Sequence, residues 1–399
     1  MAALLPVSEA LDRVLAKASP LPSETVPLAA AHGRVLASDL KALRTQPPAD
    51  VSAMDGYAVR AADIANAPVD LTVTGEVAAG RPFTGQVNAG EAVRIFTGGV
   101  VPPGADTIAI QEHAERNGDR VRIQKSAPAN KHIRRAGLDF KTGDVLLARG
   151  RFLTGRDVTL AAATNNATIP VARRARVAVF ATGDELIMAG SEPGPGQIVY
   201  SNGYAVAALA RSEGAEVIDL GIVPDRLDDT ISAIRRAREA GSDILVTTGG
   251  ASVGDYDLVQ KAFAAEGVSL SFWKVALRPG RPLMHGVLGG MQVLGLPGNP
   301  VSAFVCAFLF LLPLLRRLAG RSDAVPQTES AVLGSDLPAN DERADYLRAT
   351  LSAGTATPLP LQDSSLMQAL ARADCLVIRA PFDPARRAGD ACRILKLPL

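Results

Sequence analysis

Between residues 174 and 321 apolar, β-branched runs alternate with amphipathic stretches, and most of the runs break into glycine, proline or acid at their ends. "ARVAVF" leads to "ATGDEL", "SNGYAVAALARSEG" to "AEVIDL" and "GIVPDR", and "DDTISAIRRAREA" to "DILVTT" and "GGASVGDYD". A helical stretch "YDLVQKAFAAEG", a run "VSLSFWKVA", a strand "MQVLGL" and the segment "PGNPVSAFVCAFLFLLPLLRRLAG" complete the series. Strands alternating with helices predict a doubly wound parallel sheet with right-handed crossovers. Such sheets bind ligands outside the carboxyl ends of their strands. That rule places "TGDE", "PDR", "TGGASVGDYD" and "LPGNP" along one edge, although they are far apart in the chain.

The chemistry along that edge is mixed in sign. Gly249 and Gly250, followed by Ser252, stand where a strand turns into a helix, so backbone N–H groups there can converge on an anion at the positive end of a helix dipole; a plain tight turn uses the same glycines. Neither G-x-G-x-x-G nor G-K-[ST] is present, which excludes the dinucleotide fingerprint and the P-loop. Asp184, Glu185, Asp225, Asp255 and Asp257 gather acids at the same edge. A divalent cation reconciles acids with a bound phosphate, because Mg²⁺ takes one or two carboxylates plus substrate oxygens. Asp184 and Asp255 read as residues favoured by a helix dipole, Glu185 and Asp257 as functional carboxylates. In "FWKVALRPGRPL", Lys274, Arg278 and Arg281 flank a Pro-Gly turn and suit a phosphate or tetrahedral oxyanion, or form a solvated basic turn. Ser302 is placed to open the apolar helix.

The rest of the chain has a different texture. Ser8 can cap an N-terminal helix "SEALDRVLAK", and Thr154 a helix near "GRDVTLAAAT". From Gln46, short alternating runs separated by Gly, Pro and Asn predict a small β-domain. The reading is therefore residues 1–45 with 145–173 as one unit, 46–144 as a β-rich insertion, 174–321 as the doubly wound unit, and 322–399 as a C-terminal β-barrel-like unit.

Forty-two basic residues oppose forty-one acidic ones, so no bulk field draws the chain to nucleic acid or an anionic membrane. Cys306, Cys375 and Cys392 fit neither a disulfide framework nor a thiolate metal site, and a reducing cytoplasm suits them. His32, His113, His132 and His285 lack zincin spacing. The apolar run from Val301 is shorter than the roughly 17–25 residues a membrane span needs and contains Pro313, so it is read as a buried helix.

Six segments in order carry a family resemblance: "SAMDGYAVRAAD", "RIFTGGVVPPGAD", "TGDEL", "TTGGASVGDYD", "KVALRPGRP" and "GLPGNPVSAF". Together they resemble the MoeA family of molybdopterin molybdenumtransferases, which includes the E domain of gephyrin. The resemblance spans essentially the whole chain. It implies an elongated homodimer, with a cleft between the doubly wound unit and parts of the partner's second and fourth units. It implies insertion of molybdenum from molybdate into adenylylated molybdopterin, with Mg²⁺-assisted release of AMP. Molybdopterin adenylyltransferase and apo-molybdoenzymes or their chaperones are the partners it suggests.

By the same resemblance, Asp55, Asp139, Glu185, Asp257 and Lys274 are catalytic, and Glu185, Asp225 and Asp257 hold the metal. Thr97, Gly249, Gly250, Ser252, Pro297 and Asn299 line the pterin and nucleotide cleft. Arg278, Arg281, Arg348, Ser364 and Ser365 reach the molybdate region. Arginines stand at 278 and 281 where many relatives have lysine, and "LPLQDSS" lacks a glycine often found before the serine pair. Two rival readings keep the fold: an adenylyltransferase, which needs only the doubly wound unit, and a scaffold, which needs none of Asp55, Glu185 and Asp257.

Overall fold

The computed structural model of the chain describes residues 4–78, 80–249 and 258–398. Its centre is a six-stranded sheet in the order Glu216–Val223, Arg176–Thr182, Ile244–Thr248, Met291–Leu296, Met284–Leu288, Ser269–Trp273. The first four strands are parallel and the last two antiparallel to their neighbours. The sheet is therefore doubly wound but not wholly parallel. Met284–Leu288 went unread because Pro282 precedes it, yet Gly289-Gly290 turns it in two residues onto Met291, with Gly289 at φ +61°. Two reversals leave Ser269–Trp273 ending at the same rim as the parallel strands, which carries Lys274 there.

Helices cover both faces. Asn202–Ser212 and the long helix from Pro300 pack one face, with the N-terminal helix Val7–Ala16 adding Ala10 and Val14 to that core. Leu227–Glu239 and Leu258–Ala265 pack the other, around Phe180, Ile234 and Phe263. The N-terminal helix is preceded by Pro6, not capped by Ser8, since a proline already supplies the fixed φ and the missing N–H tolerated there.

The apolar segment is one continuous helix, Pro300–Leu318, of 19 residues, longer than its sequence reading allowed. Pro313 does not break it. The stretch Ala307–Leu311 widens into a π-helical turn, which makes room for the proline ring and its missing donor. By length and composition the helix could span a membrane, but 83% of its most apolar 18-residue window is buried inside the protein. Asn299, not Ser302, occupies its N-cap position, with Pro300 at the first helical position.

Two further β-units flank this core. Residues 56–123 form a six-stranded sheet ordered Thr107–Ile110, Gly56–Val59, Glu91–Ile95, Val69–Val77, Arg120–Ile123, Ala114–Asn117. Leu40–Lys41 pairs with Val145–Leu147 and Ser23–Pro27 with Thr168–Ala172, so the chain leaves toward this sheet and returns from it at adjacent points. The helix Gly155–Ala163 that follows is capped by Thr154, whose N–H and Oγ1 both bond the Asp157 carboxylate at 2.9 and 2.7 Å.

The C-terminal unit is a closed barrel: Ala344–Ser352, Thr355–Pro358, Glu329–Leu333, Ala391–Lys396, Cys375–Arg379 and back to Ala344–Ser352. Closure leaves no free edge within that ring. Leu277–Arg278, from the basic turn, adds a short parallel pairing to Ala344–Asp345 and fixes the barrel to the central sheet.

Candidate functional site

Three strand-terminal loops touch at the carboxyl rim of the central sheet. Gly249 has φ +88°, and a Cβ there would lie 2.5 Å from the Thr182 carbonyl oxygen, so only glycine fits between the two strand ends. A Cβ on Gly298 would lie 3.6 Å from Gly249 Cα, which brings "LPGNP" to the same point. Asn202 Nδ2 donates to Gly298 O at 2.7 Å and pins that loop to the neighbouring helix. Pro297 is buried beneath it.

The acids sit beside this contact. The Glu185 carboxylate folds over Gly183, whose Cβ would come within 2.6 Å of Oε2. The Asp225 N–H donates to Asp184 Oδ1 at 3.1 Å. Burial, followed by the charges of Asp184 and Glu185, pushes the Asp225 carboxyl above its usual range. Gly250, Ser252, Asp255 and Asp257 lie outside the described residues.

Sequence reading missed three side chains here. The hydroxyls of Thr182, Thr247 and Thr248 are buried at the strand ends, and none has a hydrogen-bond partner among the described residues. Adjacent strand residues face opposite sides of the sheet, so Thr247 and Thr248 do not converge; the Thr182 hydroxyl is the one beside the Gly249 turn, 3.3 Å from where a Cβ on that glycine would lie. Hydroxyls closing otherwise apolar runs, "VFAT" and "LVTT", are the signal that could have found them.

The barrel reaches the same rim within one chain. Asn299 Nδ2 donates to Ser364 Oγ at 2.7 Å, and the Val301 N–H, an orphan donor of the helix start, bonds Ser364 O at 3.1 Å. That N–H is thus taken by the barrel. Ser364 is thus held at the rim by the chain's own fourth unit. Ser365 donates from N and Oγ to Asp363 Oδ1 at 2.8 and 2.6 Å.

Arg348 is 1% exposed and does not open on a cleft. Its Nε bonds Gln362 Oε1 at 3.2 Å and its Nη1 bonds Asp363 O at 2.8 Å, so it braces the serine loop from behind. No carboxylate lies within 4 Å of it among the described residues, and burial lowers its pKa. The nearby Asp363 carboxylate, which holds Ser365, partly offsets its charge.

The basic turn divides. Arg278 is committed to the barrel: Nε to Asp345 Oδ1 at 2.6 Å, Nη1 to Asp341 Oδ2 at 2.9 Å and Nη2 to both Asp345 and Asn340. The shared oxyanion role expected of Arg278 is therefore not the arrangement found; its fork matches carboxylates already present. Arg281 is exposed, with no side-chain partner among the described residues. Lys274 holds φ +88°, a left-handed backbone unusual for lysine, and its Nζ lies 4.3 Å from the centre of the Trp273 ring.

Asp55 and Thr97 are joined directly: Asp55 Oδ1 accepts from Thr97 N and Oγ1, both at 2.7 Å. Those bonds hold the Asp55 carboxyl below its ordinary value. Val51–Ser52 pairs with Ile133–Arg134, so "SAMDGY", "FTGG" and "HIRR" share one surface. Asp139 is exposed, its N–H bonded to Gln46 O at 3.0 Å. The hydrogen bonds and ion pairs described for residues 46–144 all stay within residues 42–144, so none of these three residues is tied to the sheet rim of its own chain.

Carboxylates that raise one another's cost of ionisation suit a hard divalent cation. Among the described residues, however, no three His, Cys, Asp or Glu side chains are grouped to hold a metal ion. The donor set at Glu185 and Asp225 fits an open site completed by substrate oxygens, not a closed protein cage.

Comparison with known proteins accounts for the whole architecture. Residues 5–165 match the MoeA N-terminal region (domain I and II), residues 178–317 the probable molybdopterin binding domain, and residues 330–397 the MoeA C-terminal region (domain IV). A molybdopterin molybdenumtransferase of Haemophilus influenzae is 34% identical over 384 residues, covering 94% of each chain. One from a Nostoc species is 40% identical over 308 residues, covering 75% of this chain and 70% of its own. The crystal structure of the molybdopterin biosynthesis moeA protein from Pyrococcus horikoshii OT3 superposes with a TM-score of 0.86 at 29% identity, covering 99% of this chain and 100% of that one. Identity of this extent, over all the units, makes the chain a member of the molybdopterin molybdenumtransferase (MoeA) family, transferases of molybdenum cofactor biosynthesis.

Proposed function

We propose that the chain accepts adenylylated molybdopterin and molybdate, hydrolyses the adenylate, and releases AMP and molybdenum cofactor, working as a cytoplasmic homodimer. The observation that carries this reading is the meeting, at one rim, of the Gly249 turn, the unpaired Thr182 hydroxyl, the acids Glu185 and Asp225, and the serine loop of the barrel. Donors for phosphate oxygens and cations for an oxometalate then lie on one surface.

In hydrolysis, a water oxygen bonds to phosphorus, the bridging P–O bond of the anhydride breaks, AMP leaves, and a proton passes to solvent. Thr182 donates to the phosphate oxygens, and Gly249 leaves the backbone open to them. Arg281 and Lys274, cations without a carboxylate partner among the described residues, hold the tetrahedral molybdate dianion beside Ser364 and Ser365. Glu185 and Asp225, with Asp257 as the further acid, would hold Mg²⁺, which would supply Lewis acidity to the phosphate oxygens. Asp55, Thr97 and Asp139 complete the cleft from a second copy, a reading supported by the closed bonding of residues 46–144. An adenylyltransferase supplies the substrate, and apo-molybdoenzymes or their chaperones take the product.

The test is anaerobic turnover of adenylylated molybdopterin with molybdate and Mg²⁺, scored by AMP and by activation of an apo-molybdoenzyme. Molybdate-dependent AMP release with activation is expected. Absence of both, or formation of adenylylated pterin from ATP and free molybdopterin, overturns the proposal.

A further inference from the structure

The strand Ala344–Ser352 loses its partner where Thr355–Pro358 ends, opposite Ala349. Arg348 N–H and C=O then face a gap in the ladder. Leu359 N–H bonds that carbonyl at 2.9 Å, and the Gln362 side chain fills the rest. Gln362 Oε1 accepts from Arg348 N at 3.0 Å and from Arg348 Nε at 3.2 Å; its Nε2 donates to Arg348 O at 2.9 Å and Leu359 O at 2.8 Å. One carboxamide, the same chemical group as a peptide bond, replaces a missing strand residue and also grips the buried guanidinium. Two residues on, Ser364 bonds Asn299 and the Val301 N–H.

From this geometry we propose that Gln362 is the positioning residue of the serine loop: it fixes Ser364 and Ser365 at the sheet rim and thereby sets the affinity for the oxyanion, without touching it. The proposal rests on the functional reading above only for the identity of that oxyanion, molybdate. Neither oxygen nor nitrogen of the carboxamide is spare, so a glutamate keeps the accepting half of the brace and a methionine, of similar shape, keeps none.

Gln362→Met and Gln362→Glu are compared with wild type in two measurements. The first is the KM for molybdate against the Kd for adenylylated pterin: Gln362→Met is expected to raise the former at least about tenfold with the latter within about twofold, and Gln362→Glu to recover part of the loss. The second, independent of activity, is amide exchange at Val301, expected to speed up at least about tenfold in Gln362→Met while the strand Cys375–Arg379 keeps its protection. Unchanged Val301 exchange, or molybdate and pterin affinities falling together, overturns the proposal. If Gln362→Met does not fold, Gln362→Glu decides it by the same two measurements. A wild-type chain that releases no AMP sinks the functional reading alone, and Val301 exchange still decides the positioning.

Discussion

Replacing Arg278 separates a structural clamp from an oxyanion ligand. Its guanidinium makes a bidentate pair with Asp345, whose side chain is 7% exposed, and adds bonds to Asp341 and Asn340. Breaking a buried pair costs roughly 3–5 kcal/mol, because the remaining charge is stranded. The Arg278 side chain is itself 42% exposed, so water can reach part of the gap, and the exposed Asp341 contact adds little. We therefore expect Arg278→Ala to destabilise the chain by about 2–3 kcal/mol. Arg278→Lys keeps the charge but loses the fork, for about 1–2 kcal/mol.

Urea unfolding followed at the single tryptophan, Trp273, five residues away, reports the joint directly. A double-mutant cycle with Asp345→Ala isolates the pair, with an expected coupling near about 2 kcal/mol. Arg281→Ala, by contrast, leaves stability within about 0.5 kcal/mol and raises the molybdate KM. A coupling below about 0.5 kcal/mol, or an Arg278→Ala protein of unchanged stability and weakened molybdate binding, refutes the reasoning.

Gly249→Ala forces a Cβ against the Thr182 carbonyl in a left-handed backbone; a stability loss of about 1–3 kcal/mol and loss of AMP release are expected, and a fully active, stable variant contradicts the close approach. Arg386 and Arg321 hold the carboxyls of Asp383 and Asp323 below 3.8, so the stability they lend is complete above that value and disappears as pH falls through their folded values. Unfolding free energy should drop as pH falls below about 4, and Asp383→Asn should flatten that slope; an unchanged slope rules out its contribution. If Asp55 serves the partner's site while Ser364 serves its own, mixing Asp55→Asn and Ser364→Ala chains restores about a quarter of wild-type sites in randomly assorted dimers, whereas no recovery after subunit exchange places both residues in one chain's site.

Periodicity made the central sheet legible. Apolar runs closed by glycine and acid gave the parallel strands, and the carboxyl-end rule gathered "TGDE", "PDR" and "LPGNP" at one rim. The strand Met284–Leu288 escaped because proline precedes it and its pairing depends on a two-residue glycine turn. Arg278 and Arg348 were misjudged for a common reason. Charge pattern names a guanidinium without saying what faces it, and Asp345 and Gln362 lie 67 and 14 residues away. The buried threonines were silent because their significance is an absent partner, which no local pattern records. The proline in the long helix misled for the opposite reason: a local rule was outvoted by packing on every side.

Where residues 46–144 join the rest, Ala42 N–H bonds Asp144 O at 2.9 Å and Gly143 N–H bonds Ala42 O at 2.8 Å, so departing and returning strands already form the stem of a hairpin. Tying that stem with a turn of about three residues shortens the loop and lowers its closure entropy. A miniature chain cut this way is expected to retain the native emission of Trp273, and loss of that emission would show that the excised part supports the remainder. Seen so, the lobe is cargo on a detachable stalk, and the same stem on an unrelated antiparallel pair could carry it as a graft.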